Sequence, residues 1–168
     1  MSTAQFDNLT LADFYTSTHR ISGQVETKSK PISDLLNDRT RSYLLLFNVY
    51  VSRLDEPGEI GAHAPTAYLS KDNLTFVIVS SREVRTPEHS RFATQEYGAL
   101  ITLPRVEIRG TFTGPHRFDL RTFTPAALEA FVTLTQAQAQ IVDVPDATFS
   151  GEAILVNRAR LESFCLNE

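Results

Sequence analysis

The chain has 168 residues, 42% of them hydrophobic and 21% charged, which is the balance of one ordinary globular domain or of two small units sharing a core. A formal net charge of −4 argues against broad, non-specific nucleic-acid binding, because that needs a net basic surface to displace counterions. The single cysteine, Cys165, excludes an internal disulfide and favours a reducing compartment.

The opening segment MSTAQFDNLTLADFYTSTHR has no early positive charge followed by an apolar run, so it does not read as a signal peptide. The longest apolar run, YLLLF, is far shorter than a membrane span. A cytoplasmic protein without membrane contact is the expectation.

In HRISGQVET (19–27), Ile21, Gly23 and Val25 lie on a strand-like alternation. Ile32, Leu35 and Leu36 follow at helical spacing, so SDLLND predicts one short helix, with Ser33 as N-cap, that plugs one end of a sheet. SYLLLFNVYVSRL (42–54) is rich in aromatic and β-branched residues and predicts a strand. DEPGEIGAHAPT (55–66) reads as a loop, and AYLSKDNLTFVIV (67–79) as two strands around a KDNL turn. The charged stretch 80–96 reads as a connector.

The opening pattern then returns. Ile21-Ser-Gly23 lies over Ile108-Arg-Gly110 at an offset of 87, and residues 42–54 lie over 130–142 at an offset of 88. Residues 67–79 fall near 153–166, with Leu74 over Leu161. This self-similarity predicts a tandem duplication. It also resolves TPAALEAFVTLTQAQAQIVDV, which taken alone favours a helix. Thr135, Ala137 and Ala139 alternate with Gln136, Gln138 and Gln140, matching the alternation in 42–54, so this segment becomes a strand. The helix shrinks to TPAALEA, with Thr124 as cap and Pro125 at its first position. DVPDATFSG (143–151) reads as a second loop.

The expected fold is therefore mainly β: two tandem pseudo-symmetric β-α-β-β units, each with one short helix, forming packed sheets or small barrels. Residues 1–79 would be the first unit with an N-terminal extension, 80–96 the connector and 97–168 the second unit. Leu44, Leu46, Phe47, Val49, Leu69, Leu74, Phe76 and Ile78 would form one core. Ile108, Phe112, Leu128, Phe131, Leu134, Leu155, Leu161 and Phe164 would form the other.

With Gly23, Ser33, Asp34, Leu35, Leu36 and Asn37 in place, residues 19–82 resemble an uncharacterised bacterial domain family that carries a "G-x-hydrophobic", an "SDLLN" turn and a Leu/Val-rich strand. The resemblance implies a small β-barrel of the Sm-like kind and carries no assigned activity. The second unit keeps little of the SDLLN turn, which weakens any shared binding role there.

Chemistry-bearing patterns are sparse. His19, His63, His89 and His116 have no partners at zinc-ligand spacing, and His63 and His116 read as solvated loop residues. Cys165, in the apolar run FCL, reads as a small buried hydrophobe. No nucleophile elbow, P-loop or dinucleotide fingerprint is present. No cofactor, metal site or enzyme activity is expected. Arg105, Arg109, Arg117 and Arg121, opposed only by Glu107 and Asp119, form the most informative charged stretch, a candidate patch for phosphate or an acidic partner, with a solvated strand face as the plainer reading. Gln136, Gln138 and Gln140 form a candidate assembly stripe. The leading expectation is a non-enzymatic binding or assembly module, self-associating with a dimer favoured or meeting another protein. RNA binding through the Arg-bearing strand is the alternative.

Overall fold

The computed structural model describes residues 8–84, 94–122 and 129–167. Ten strands form one antiparallel sheet: β1 Leu9–Tyr15, β2 His19–Glu26, β3 Tyr43–Arg53, β4 Ile60–Ser70, β5 Phe76–Val79, β6 Thr94–Leu103, β7 Val106–Pro115, β8 Phe131–Ile141, β9 Val144–Asn157 and β10 Ser163–Asn167. Their order is β10-β6-β7-β8-β9-β5-β1-β2-β3-β4. The sheet is open, with β10 and β4 at its edges, so the packed sheets or closed barrels expected from the sequence are replaced by one continuous sheet. A single six-residue helix, α1 Ile32–Asn37, is the α-helix among the described residues, and short 3₁₀ turns occupy Lys71–Asn73 and Arg158–Arg160.

The sequence-based layout missed strands. Most of the loop expected at 55–66 belongs to β4, and most of the one at 143–151 belongs to β9. β1 and β6 are also full strands, and β6 starts inside the stretch read as a connector. Gly and Pro content misled the reading. Pro65 sits on an edge strand, where a missing N–H removes no ladder bond, and Pro145 sits at a strand start. The expected TPAALEA helix and Leu128 fall largely on 123–128, outside the described residues.

β3 and β8 share a bend. Asn48 and Gln136 adopt φ of 51° and 47°, rare for residues with a Cβ. Each is an extra residue opposite a glycine: the β2–β3 register slips between Ser22 and Gln24, and the β7–β8 register between Arg109 and Thr111. A Cβ on Gly110 would stand 2.8 Å from the Ala137 Cβ, and one on Gly23 would stand 3.4 Å from Leu46 and Val49. Such bulges bend a strand and increase its twist. At both bulges the buried parity shifts by one residue, from Leu46 to Val49 on β3 and from Leu134 to Ala137 on β8.

Two apolar clusters result. One is built from β6–β9 residues such as Ile101, Ile108, Leu134 and Ile154, and it takes in Tyr15 of β1, Phe76 of β5 and Leu54 just past β3. The other is built from Phe14, Ile32, Leu36, Leu46 and Val77, and it takes in Phe131, Ala153 and Leu155 from the second five. Of the expected core, Phe47, Ile78, Leu161 and Phe164 are half-buried and the other described members are buried. Leu36 and Ile32 of α1 insert fully, as a plug should, while Leu35 is half-buried. Pro31, not Ser33, is the N-cap, and Ser33 is buried inside the helix. The Ile32 N–H instead donates to the Glu83 carboxylate at 3.1 Å.

Backbone bonds outside the ladders recur along the chain. The bonds Thr75 N–H to Tyr15 O, Leu54 N–H to Thr18 O and Lys71 N–H to Ser42 O are matched by Glu162 to Thr102, Val142 to Arg105 and Arg158 to Ala130. The members of each pair stand 87 or 88 residues apart. The strand orders β5-β1-β2-β3-β4 and β10-β6-β7-β8-β9 match as well.

Candidate functional site

The free edges hold the least ordinary surface. On β3 and β4 the register sets Leu45 beside Tyr68 and Tyr43 beside Ser70. Tyr68 is 67% exposed, Leu45 49% and Tyr43 41%. The Tyr43 and Tyr68 rings stack at 4.9 Å, with the Arg41 guanidinium 6.0 Å from the Tyr43 centroid. Large apolar groups clustered on the surface, rather than scattered, mark interaction sites. These side chains lie beside the outermost strand, so a second chain could cover them while adding to the ladder.

At the opposite edge, β10 alternates half-buried Phe164 and Leu166 with exposed Ser163, Cys165 and Asn167. Cys165 is therefore exposed, not buried as expected, because the FCL run lies on an edge strand and only one parity faces the core. Phe164 meets Phe112 edge-on at 5.4 Å. Next to it is an open recess of about 590 Å³ whose lining includes Tyr97, Phe118, Leu120 and Leu166. The Tyr97 hydroxyl fixes one wall, donating to Pro115 O at 3.0 Å and accepting from the Phe118 N–H at 2.9 Å.

The four arginines do not converge. Arg105, at φ 66°, forms the β6–β7 turn and pairs with Asp143 at 3.1 Å. Arg117 and Arg121 lie beyond the far end of β7, a strand of ten residues and so about 30 Å long. Arg121 pairs with Asp119 at 2.9 Å, and that contact holds the Asp119 carboxyl below its ordinary pKa. Arg109 and Arg117 are exposed. Arg105 belongs to a turn, so the expected charged face on one strand reduces to Glu107 and Arg109.

Gln136, Gln138 and Gln140 are all exposed, but β8 lies between β7 and β9 inside the sheet. The stripe is thus a face, not an edge. Arg109 stands opposite Gln138 and Glu107 opposite Gln140, with Ser150 and Thr148 on the other side. One arginine and two glutamines therefore share a polar outer face.

His63 sits on β4, not in a loop. Its ring stacks on Tyr50 at 4.4 Å, and Nε2 lies 2.9 Å from Asn48 Oδ1. His19 lies on β2, with Nδ1 2.8 Å from Thr18 Oγ1. His116 is exposed, and His89 lies outside the described residues. Among the described residues no three His, Cys, Asp or Glu side chains cluster as metal ligands. No helix there is long and apolar enough to cross a membrane.

Sequence reasoning missed the polar cluster at the junction of the two five-strand runs. Arg20 Nη2 donates to Asp13 Oδ2 at 3.1 Å, and Ser22 Oγ donates to Asp13 Oδ1. Phe149 of β9 lies over the Arg20 guanidinium at 5.5 Å. Tyr15 stacks on Phe76 at 4.2 Å and has no hydrogen-bond partner for its hydroxyl among the described residues. Burial pushes the Tyr15 pKa far above the ordinary 10.0, the Asp13 charge adds to the rise, and Arg20 opposes it. Alternating polar residues on β1 and β2 were the available signal, but only the packing of β9 shows that they are covered. Lys71, unlike the half-buried Arg20, is a buried cation, donating to Asp38 O at 3.0 Å and to Leu35 O, and burial lowers its pKa. Both ties end α1, so Lys71 is structural.

Compared with protein-family models, with curated proteins and with solved structures, the chain finds no match.

Proposed function

We propose that this protein is a non-enzymatic assembly module that acts through protein–protein contacts at its sheet edges. The observation that carries the reading is the stacked Tyr43–Tyr68 pair beside Leu45, exposed along the free strand β4. Unpaired edge strands are ordinarily guarded by charge, proline or cover. Pro65 interrupts the middle of β4, while Thr66–Ser70 beyond it carry no charge. The finer reading is that the two five-strand runs arose by tandem duplication of one small Sm-like β-unit. The recurring bonds and the matching strand order support it.

RNA binding is the weaker reading. It would draw on the exposed Arg109 and Arg117, since Arg105 and Arg121 already have carboxylate partners. A mobility-shift series in rising salt separates the two, because phosphate contacts weaken steeply with salt. For the assembly reading, light scattering coupled to size exclusion across a dilution series is the test. Multimers at high concentration are expected, and a single species near 18.8 kDa throughout would overturn it.

A further inference from the structure

We propose that copies of this chain join head to tail, with β4 of one pairing with β10 of the next in the register that β9 and β5 use inside the chain. This rests on the assembly reading above and specifies its geometry.

The internal junction supplies the template. There β5 pairs with β9 over four residues: Phe76 with Val156, Val77 with Leu155, Ile78 with Ile154 and Val79 with Ala153. Shifted by 87, β5 becomes Ser163–Leu166 of β10, and β9 becomes Thr66–Leu69 of β4. Those two segments are the free edges of the sheet. The chain thus forms one such junction internally and leaves the two halves of another exposed at opposite ends.

Burial at matching positions points the same way. Phe131 and Leu155 are 3% and 0% exposed, because they pack into the apolar cluster of the first five strands. Their counterparts, Tyr43 and Tyr68, are 41% and 67% exposed. The cluster that would receive them from a second copy is the one beside β10, where the recess lined by Tyr97, Phe118 and Leu166 stands open. In the proposed register Tyr68 lies opposite Phe164 and Thr66 opposite Leu166, so Tyr68 enters on the side of that recess. Pro65 stops pairing upstream of Thr66 and leaves a segment that matches the four residues used internally. Because the two surfaces differ, the contact is heterologous, so it propagates into a ring or a filament.

The native cysteine makes the register measurable. The proposal sets Cys165 directly opposite Ala67 of the neighbouring copy, within the Cα separation that a disulfide tolerates. Mild oxidation of Ala67→Cys should give a covalent ladder on non-reducing gels, and the same variant carrying Cys165→Ser should give none. Cross-linking in the double variant would mean that β4 pairs with β4, which overturns the proposal. Wild-type multimers with no ladder from Ala67→Cys would overturn this register and leave the assembly reading standing. A wild-type monomer at every concentration would overturn both. Tyr68→Asp and Leu166→Asp provide a second route if the cysteine variant folds poorly. Each alone should abolish multimers, and an equimolar mixture should form a complex of two chains through the one intact β4–β10 pair. Two inert monomers in that mixture would overturn the head-to-tail geometry.

Discussion

Phe131 and Tyr43 occupy matching places at the start of β8 and β3, and Leu155 and Tyr68 matching places on β9 and β4. Two of these four residues are sealed in a core and two face solvent. The backbone around them differs little: both strand pairs carry a bulge opposite a glycine, and both end in a 3₁₀ turn. What differs is the neighbour. β9 has β5 and the first five strands beside it, whereas no strand lies beyond β4 among the described residues. An aromatic residue at such a position is a core residue or a docking residue according to what lies past the edge.

The strongest way to break this comparison is to truncate both members of one pair. Leu155→Ala should destabilise by about 2–5 kcal/mol, the range for a buried leucine losing its packing. Tyr68→Ala should change the stability of the single chain by less than about 0.5 kcal/mol, as surface substitutions do. Urea melts at low protein concentration measure both, and equal losses would show that the two edges are not differently covered.

The glycines opposite the bulges sharpen the comparison. Gly110→Ala forces a Cβ to within 2.8 Å of Ala137 and should cost about 1–3 kcal/mol, the usual range for overpacking. Gly23→Ala meets its neighbours at 3.4 Å and should cost clearly less in the same melt. A larger loss at Gly23 would mean that the first bulge is the tighter one.

Tyr15 reports on the junction itself. Its folded pKa is raised, so above pH 10 the unfolded chain loses this proton before the folded one does. The stability tied to Tyr15 is therefore complete below that pH and lost as pH rises further. Tyr15→Phe should flatten the alkaline limb of stability against pH. It should also raise stability at neutral pH by about 1 kcal/mol, because a buried hydroxyl without a partner is removed. An unchanged alkaline limb would place the hydroxyl in contact with water. The smallest effect belongs to Arg105→Ala at the β6–β7 turn. It breaks an exposed ion pair to Asp143 and should change stability by less than about 0.5 kcal/mol in low salt.

Much of this architecture is legible in the residues. Phe47, Val49 and Val51 on β3, alternating with Asn48, Tyr50 and Ser52, and the Gln/Ala alternation of β8 carry a period of two that marks strands even where composition favours a helix. The parity break inside β3 was not legible. Phe47 is only half-buried because the extra residue at Asn48 shifts the alternation by one, and a bulge leaves no mark in composition. β4 and β9 were hidden for a related reason. Their glycines and prolines are turn formers, and only the ladders with β3 and β8 show them held extended. Of the candidate site residues, the arginines were identifiable by charge but not by position. Asp119 and Asp143 take up two of them, and the length of β7 separates the rest.

The sequence by itself determined that the fold is mainly β, the short helix that carries Ile32, Leu35 and Leu36, and the self-similarity that pairs Gly23 with Gly110, because these follow from side-chain periodicity over short stretches. Only the tertiary structure decided that the strands join into one open sheet, that β8 and its glutamines lie inside it, and that Leu155 is sealed while Tyr68 is bare. β8 lies inside because β7 and β9 flank it, while the single sheet and the sealing of Leu155 depend on β5 meeting β9 across nearly eighty residues of chain, a pairing that leaves no local pattern in either segment.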